Sequence, residues 1–147
     1  SAVKVGGQNM YWEDEGAFTG EVSGKMLLTL GCSHVILGHS ERRQYFFETD
    51  VTINSKLKKA LSLGLTPIVC VGETLDQREA NQTEQVVRTQ IEGCYDGLTA
   101  EQADQTVVAV LTGHGLKDPE AVTSRAPEIK IIPAELSALE ETMNAER

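Results

Sequence analysis

His34-Val35-Ile36-Leu37-Gly38-His39-Ser40-Glu41-Arg42-Arg43 decides the fold. Its first four residues lack the polar alternation of a half-exposed strand. They read instead as a parallel strand, apolar on both faces because helices cover both. Gly38 ends that run, and the polar residues after it can open a helix. The same grammar repeats in both directions. Pro67–Val71 is a second apolar run closed by Gly72, and Val107–Leu111 is a third, followed by Thr112-Gly113-His114-Gly115. Val3–Gly6 reads as a brief strand before them, and Ile129–Ile132 as a short one after them.

Helical patterns fill the intervals. Ser23 to Leu30 reads as a helix with Gly31 as its stop. Thr49 or Asp50 caps a helix whose Ile53, Leu57, Ala60, Leu61 and Gly64 recur at spacings of three and four. Thr74 with Gln77, and Thr99 with Gln102, have capping-box spacing. Val87, Ile91, Cys94 and Tyr95 make a further stripe that Gly97 closes. Asp118-Pro119 reads as a cap followed by a first-turn proline. Pro133 opens a last helix carrying Leu136, Leu139 and Met143. Strands alternating with helices predict an α/β fold of four or five mostly parallel strands flanked by helices. The sheet is expected to be open, and residues 1–147 to form a single domain.

Composition narrows the function. At 147 residues the chain suits one core, and with only 5% aromatic residues that core must be aliphatic. A net charge of −9 argues against nucleic acid and anionic membrane as partners, leaving room for a local basic patch that binds a small phosphate. No apolar run approaches the ~20 residues of a membrane span. Cys32, Cys70 and Cys94 are odd in number and scattered without a CxxC pair. Together with a start lacking a secretory apolar stretch, they predict reduced thiols and a cytoplasmic setting. No metal-ligand spacing stands out.

In a parallel sheet the chemistry gathers at the carboxyl ends of the strands. His39 follows a strand directly and stands beside a helix start, where positive charge is disfavoured. A neutral imidazole there can donate a hydrogen bond to a carbonyl and polarise it; its plain alternative is a turn histidine bonded to backbone. Glu41 can pair with a lysine or orient a neighbouring donor. Arg42 and Arg43 read as ion-pair partners or as a solvated face. The long segment Gln8–Ser23 reads as functional by its length.

Gly38-His39-Ser40-Glu41-Arg42-Arg43 resembles the fourth-strand signature of the triosephosphate isomerase family. Gly7-Gln8-Asn9-Met10-Tyr11 resembles the end of that family's third strand. Gly16-Ala17-Phe18-Thr19-Gly20-Glu21-Val22-Ser23 resembles its interdigitating dimer loop, and Cys70-Val71-Gly72-Glu73 the end of its fifth strand. The likeness runs from about Val3 to about Thr106. It implies an origin in an eight-stranded βα barrel whose enzymes interconvert dihydroxyacetone phosphate and glyceraldehyde 3-phosphate. That family is itself the reference case in which a glutamate takes a proton while a neutral histidine polarises the carbonyl. By the resemblance His39 is the electrophile and Glu41 the acid supporting the catalytic lysine. Cys70 is a buried cysteine near the base, and Thr19 the tip of the loop entering a neighbouring subunit. A homodimer through Gln8–Ser23 is the partner this implies, and an open sheet separately offers pairing through a sheet edge.

The resemblance also exposes departures. The barrel needs ~250 residues. The Asn and Lys of the family's first strand have no counterpart from Ser1 onward. Its sixth strand ends in a Glu within Glu-Pro-x-x-Ala, whereas Val108-Ala109-Val110-Leu111-Thr112-Gly113-His114 has neither that Glu nor the Pro. From about Val107 the chain is similar instead to the last segment of threonine synthase, through Val108 to Pro119 and, more loosely, Ala126-Pro127-Glu128-Ile129-Lys130. In that family the matching threonine, Thr112, lies by the pyridine nitrogen of pyridoxal phosphate. The Schiff-base lysine and phosphate loop of that site are missing, so no cofactor is expected. The two resemblances describe a chimera, recombined or engineered: residues 1–106 isomerase-like, 107–147 synthase-like. Without the catalytic Glu and Lys it is expected to lack turnover. Residual isomerase activity, or weak anion binding at the strand ends, is the alternative.

Overall fold

The structure is a computed structural model that describes residues 3–99, Gln102 and 108–111. In chain order the elements are β1 (Gly6–Gly7), α1 (Gly24–Thr29), β2 (His34–Leu37), α2 (Ser40–Tyr45) and α3 (Asp50–Ser62). They continue with β3 (Thr66–Val71), α4 (Leu75–Glu79), α5 (Thr83–Tyr95) and β4 (Val108–Leu111). The helix expected at Asp118-Pro119, the strand at Ile129–Ile132 and the helix from Pro133 lie outside the described residues, as does Thr112.

All three strand pairings are parallel, and the order β1-β2-β3-β4 follows the chain. Val35 faces Pro67 across the first central ladder, and Val71 faces Leu111 across the second. The result is the expected open α/β sheet with flanking helices. Two details differ from the sequence reading. The first strand is Gly6–Gly7 rather than Val3–Gly6, because the ladder begins only where β2 lies opposite it, with Gly6 against His34. Val3 and Val5 are exposed before it. The second difference concerns burial, which alternates along β2: Val35 and Leu37 are buried, His34 and Ile36 half-buried. Strands joined in sequential order by crossovers of one hand place their helices on one face, so one side of β2 receives the core, while β3 buries both sides only at its end, where Val69, Cys70 and Val71 are all buried.

That core is aliphatic, as the composition requires. Val35, Leu37, Val69 and Val71 from the sheet meet Ile53, Leu57, Ala60 and Leu61 from α3, with Val87 and Cys94 from α5. Ile91 and Tyr95 pack against it, completing the predicted stripe of α5. Thr49, not Asp50, is the cap of α3. Its hydroxyl accepts from the Thr52 N–H at 3.3 Å while the Thr52 hydroxyl accepts from the Thr49 N–H at 3.0 Å. Thr74 and Gln77 form the same reciprocal box at α4, and Thr99 and Gln102 bond in the same manner. The three cysteines are free and buried. No described helix is long and apolar enough to cross a membrane.

Candidate functional site

The carboxyl ends of β2 and β3 form a shelf on which most of the predicted site residues stand. Gly38 leaves β2 with φ +70°, a left-handed conformation that suits glycine. A Cβ there would lie 2.8 Å from Ile53 Cδ1 and 3.3 Å from the Cys70 carbonyl oxygen, so the position lacks space as well. This tight exit delivers His39 as the N-cap of α2, where its Nδ1 accepts from the Glu41 N–H at 3.3 Å. Accepting that bond requires the lone pair on Nδ1, which selects the tautomer carrying its proton on Nε2. The His39 side chain is 40% exposed. The plain reading, a turn histidine bonded to backbone, is what Nδ1 shows.

Glu41 is exposed, its carboxylate 3.9 Å from His39 Nδ1. The lysine that the sequence reading sought for a carboxylate is found elsewhere. Lys56 Nζ, 3% exposed, binds an oxygen of Glu48, itself 6% exposed, and Asn9 Oδ1 at 2.9 Å. Arg42 donates to the same Glu48 oxygen and lies over the Phe46 ring, 4.3 Å from its centroid. Burial pushes the Glu48 carboxyl up, but hydrogen bonds from Lys56 and Arg42 outweigh it and hold the group below the ordinary carboxylate range. Sequence reasoning named neither Lys56 nor Glu48. The signal was present, since Lys56 lies between Ile53 and Leu57 on the buried stripe of α3, where a lysine must find a carboxylate.

Arg43 is an ion-pair partner too, bonded to Asp50 at 2.6 Å. Just past β3, Gly72 is clasped by the Gln90 amide, which accepts from its N–H at 2.8 Å and donates to its carbonyl at 3.0 Å. Glu73 beside it is held by Arg78 and Thr83. Burial raises the Glu73 carboxyl, and its own backbone N–H together with Arg78 brings it below the usual value. Cys70 is buried as the resemblance implies, its thiol pushed up by burial against the opposing pull of Arg43.

The Gln8–Ser23 segment folds against the helices rather than trailing from them. Tyr11 stacks on Trp12 at 4.0 Å and tilts against Phe18 at 4.6 Å. Asp14 bridges Lys25 and Lys59, tying the segment to α1 and α3, and those two hydrogen bonds keep its carboxyl below the ordinary range. Thr19, at its tip, is exposed and lines a cleft of about 530 Å³ with Gln8, Asn9, Arg42 and Phe46. His39 lies outside that lining. Among the described residues no group of three or more His, Cys, Asp or Glu could hold a metal ion.

Known proteins match the chain in the same region. The family model described as triosephosphate isomerase matches residues 1–110. A triosephosphate isomerase of Alkaliphilus oremlandii is 56% identical over 107 residues, covering 73% of this chain and 43% of that protein. One from Trichlorobacter lovleyi is 59% identical over 109 residues, with 74% and 43% covered. One from Geobacter metallireducens is 47% identical over 136 residues, covering 88% of this chain and 54% of that protein. The last of these necessarily reaches into residues 107–147. The crystal structure of triosephosphate isomerase from Bartonella henselae superposes with a TM-score of 0.65 at 42% identity, covering 73% of this chain and 44% of the other. This chain therefore spans about half the length of these relatives, or somewhat less. With the His39 shelf on the parallel sheet and a family match over 1–110, the chain belongs to the triosephosphate isomerase family.

Proposed function

We propose that this chain is a triosephosphate-isomerase-derived βα unit, recombined or engineered with a threonine-synthase-like tail, that keeps a carbonyl-polarising histidine without turning triose phosphates over. The end of β4 carries the reading. Leu111 pairs with Val71, and Leu111-Thr112-Gly113 follows where the family's reaction needs a carboxylate to take the substrate proton. A general base typically contributes ~10²–10⁴-fold, and an electrophile acting alone polarises a carbonyl without enolising it. Glu73 is a poor substitute, because the bonds that hold it lower its basicity. The His39 Nε2–H remains able to bind a carbonyl or phosphate oxygen. No pyridoxal phosphate and no metal enters this reading. A reducing cytoplasmic setting fits the three free thiols, and pairing through Gln8–Ser23 or a sheet edge is the assembly it allows.

One observation favours a second reading of the tail. The Geobacter metallireducens relative aligns into residues 107–147, as expected if the whole chain is one diverged isomerase sequence. The test is a coupled isomerase assay on the purified chain beside His39→Gln, with a titration of a phosphorylated triose analogue followed by NMR. Turnover at background in both proteins, with weak shifts around His39 at millimolar ligand, is expected. Activity present in the parent and lost in His39→Gln would overturn the proposal and make the chain an enzyme. Size measurement in solution decides between monomer and dimer.

A further inference from the structure

We infer that Arg43 is a positioning residue that sets the His39 imidazole; this rests on His39 being the polarising donor. Arg43 makes five hydrogen bonds, two of them to the carbonyls flanking His39. The Arg43 backbone N–H donates to the His39 carbonyl at 3.1 Å, and its Nε donates to the Gly38 carbonyl at 2.9 Å. Nη1 donates to Asp50 Oδ1 at 2.6 Å, and Nη2 to the Cys70 carbonyl at 3.2 Å and to Cys94 Sγ at 3.6 Å. The first two hold the peptide groups on either side of the His39 Cα. The last three tie that arrangement to α3, to the end of β3 and to α5. A planar guanidinium with donors fixed in a fork can serve the four acceptors of its side-chain N–H groups at once, whereas an ammonium on a flexible stem cannot hold them in one geometry.

The backbone so fixed aims the ring. His39 is an N-cap only while its φ of −50° and ψ of 144° bring Nδ1 to the Glu41 N–H. That bond keeps the proton on Nε2. The His39 carbonyl is held by backbone N–H groups whatever the side chain at 43, but if the Gly38 peptide group relaxes, Nδ1 loses its donor and both tautomers become populated. Arg43 therefore determines which nitrogen carries the donor hydrogen, from a place where it touches no ligand of the His39 edge.

The experiment reads the ring nitrogens of His39 by ¹⁵N NMR in the ligand-free protein at a pH where the ring is neutral. In the parent, the two shifts are expected to be widely separated, with the unprotonated one at Nδ1. In Arg43→Lys they are expected to move toward each other as the tautomers mix, and the Glu41 amide to lose protection from exchange. Leu65→Ala, a buried truncation far from Gly38, serves as the control for a general loss of stability and should leave the ring unchanged. If Arg43→Lys does not fold, Asp50→Ala releases Nη1 alone and should give a smaller movement in the same direction. A folded Arg43→Lys, or failing that a folded Asp50→Ala, with the parent's tautomer overturns the inference, as does an equal change in Leu65→Ala. Because no ligand is present, failure of anion binding or the discovery of turnover leaves this readout untouched.

Discussion

Replacing Glu48 by Gln removes one charge from a buried cluster of three. Its cost follows from what the other two can do. Lys56 is 3% exposed and anchored within α3, so its ammonium cannot swing into water; it keeps only Asn9 Oδ1 at 2.9 Å and whatever the new amide oxygen offers. Arg42 is 23% exposed and has a route to solvent along the Phe46 ring. Breaking a buried pair by deleting one partner costs about 3–5 kcal/mol, chiefly because the surviving charge is left uncompensated. With one survivor trapped and one able to relax, about 3 kcal/mol is expected. That is a large share of the ~5–15 kcal/mol available to a domain of this size. Urea unfolding followed by Trp12 fluorescence measures it, with an unchanged slope certifying that the transition is the same. The variant also changes the acid limb. The folded Glu48 carboxyl sits below its unfolded value, so its stabilisation is complete above the unfolded carboxylate value and lost as pH falls through the folded one. Glu73 and Asp14 are lowered as well and contribute in the same direction. The parent should therefore lose stability below about pH 4.5, and Glu48→Gln should show a shallower loss. A cost under about 1 kcal/mol, the range of an exposed pair, together with an unchanged acid limb, would refute the argument.

Two further outcomes follow from burial. Leu57→Ala empties the fully buried centre of the α3 stripe and should cost about 2–5 kcal/mol by urea titration. Cys94 is fully buried and its thiol is pushed up to about 12, burial being the leading cause. It should resist iodoacetamide at pH 8 in the folded protein and react only on unfolding, as mass spectrometry would show.

The fold was largely legible because its signals are local. Apolar runs closed by Gly38 and Gly72, paired threonine caps, and stripes such as Ile53–Leu57–Ala60–Leu61 are each readable within a dozen residues. His39 was legible for the same reason, being fixed by the strand that ends before it. The partnerships were not. Glu48 with Lys56, Arg43 with the Cys70 carbonyl 27 residues on, and Gln90 with Gly72 depend on which helix returns beside which strand. Nor does a strand's composition tell how many of its faces are covered. Ile36 is as apolar as its neighbours, yet the sequential order of strands leaves it on the half-buried side.

That order has a consequence for synthesis. Each strand bonds only to the one made before it, so no ladder among β1 to β4 waits for a partner encoded out of turn. Successive strands begin 28, 32 and 42 residues apart. At ~5–20 residues per second, a new strand reaches the growing sheet every few seconds. Loops and helices close in microseconds, so each unit has time to dock before the next emerges. The sheet from β1 to β4 can therefore be assembled in the order in which the ribosome releases it, with each of these strands serving as the template for the next.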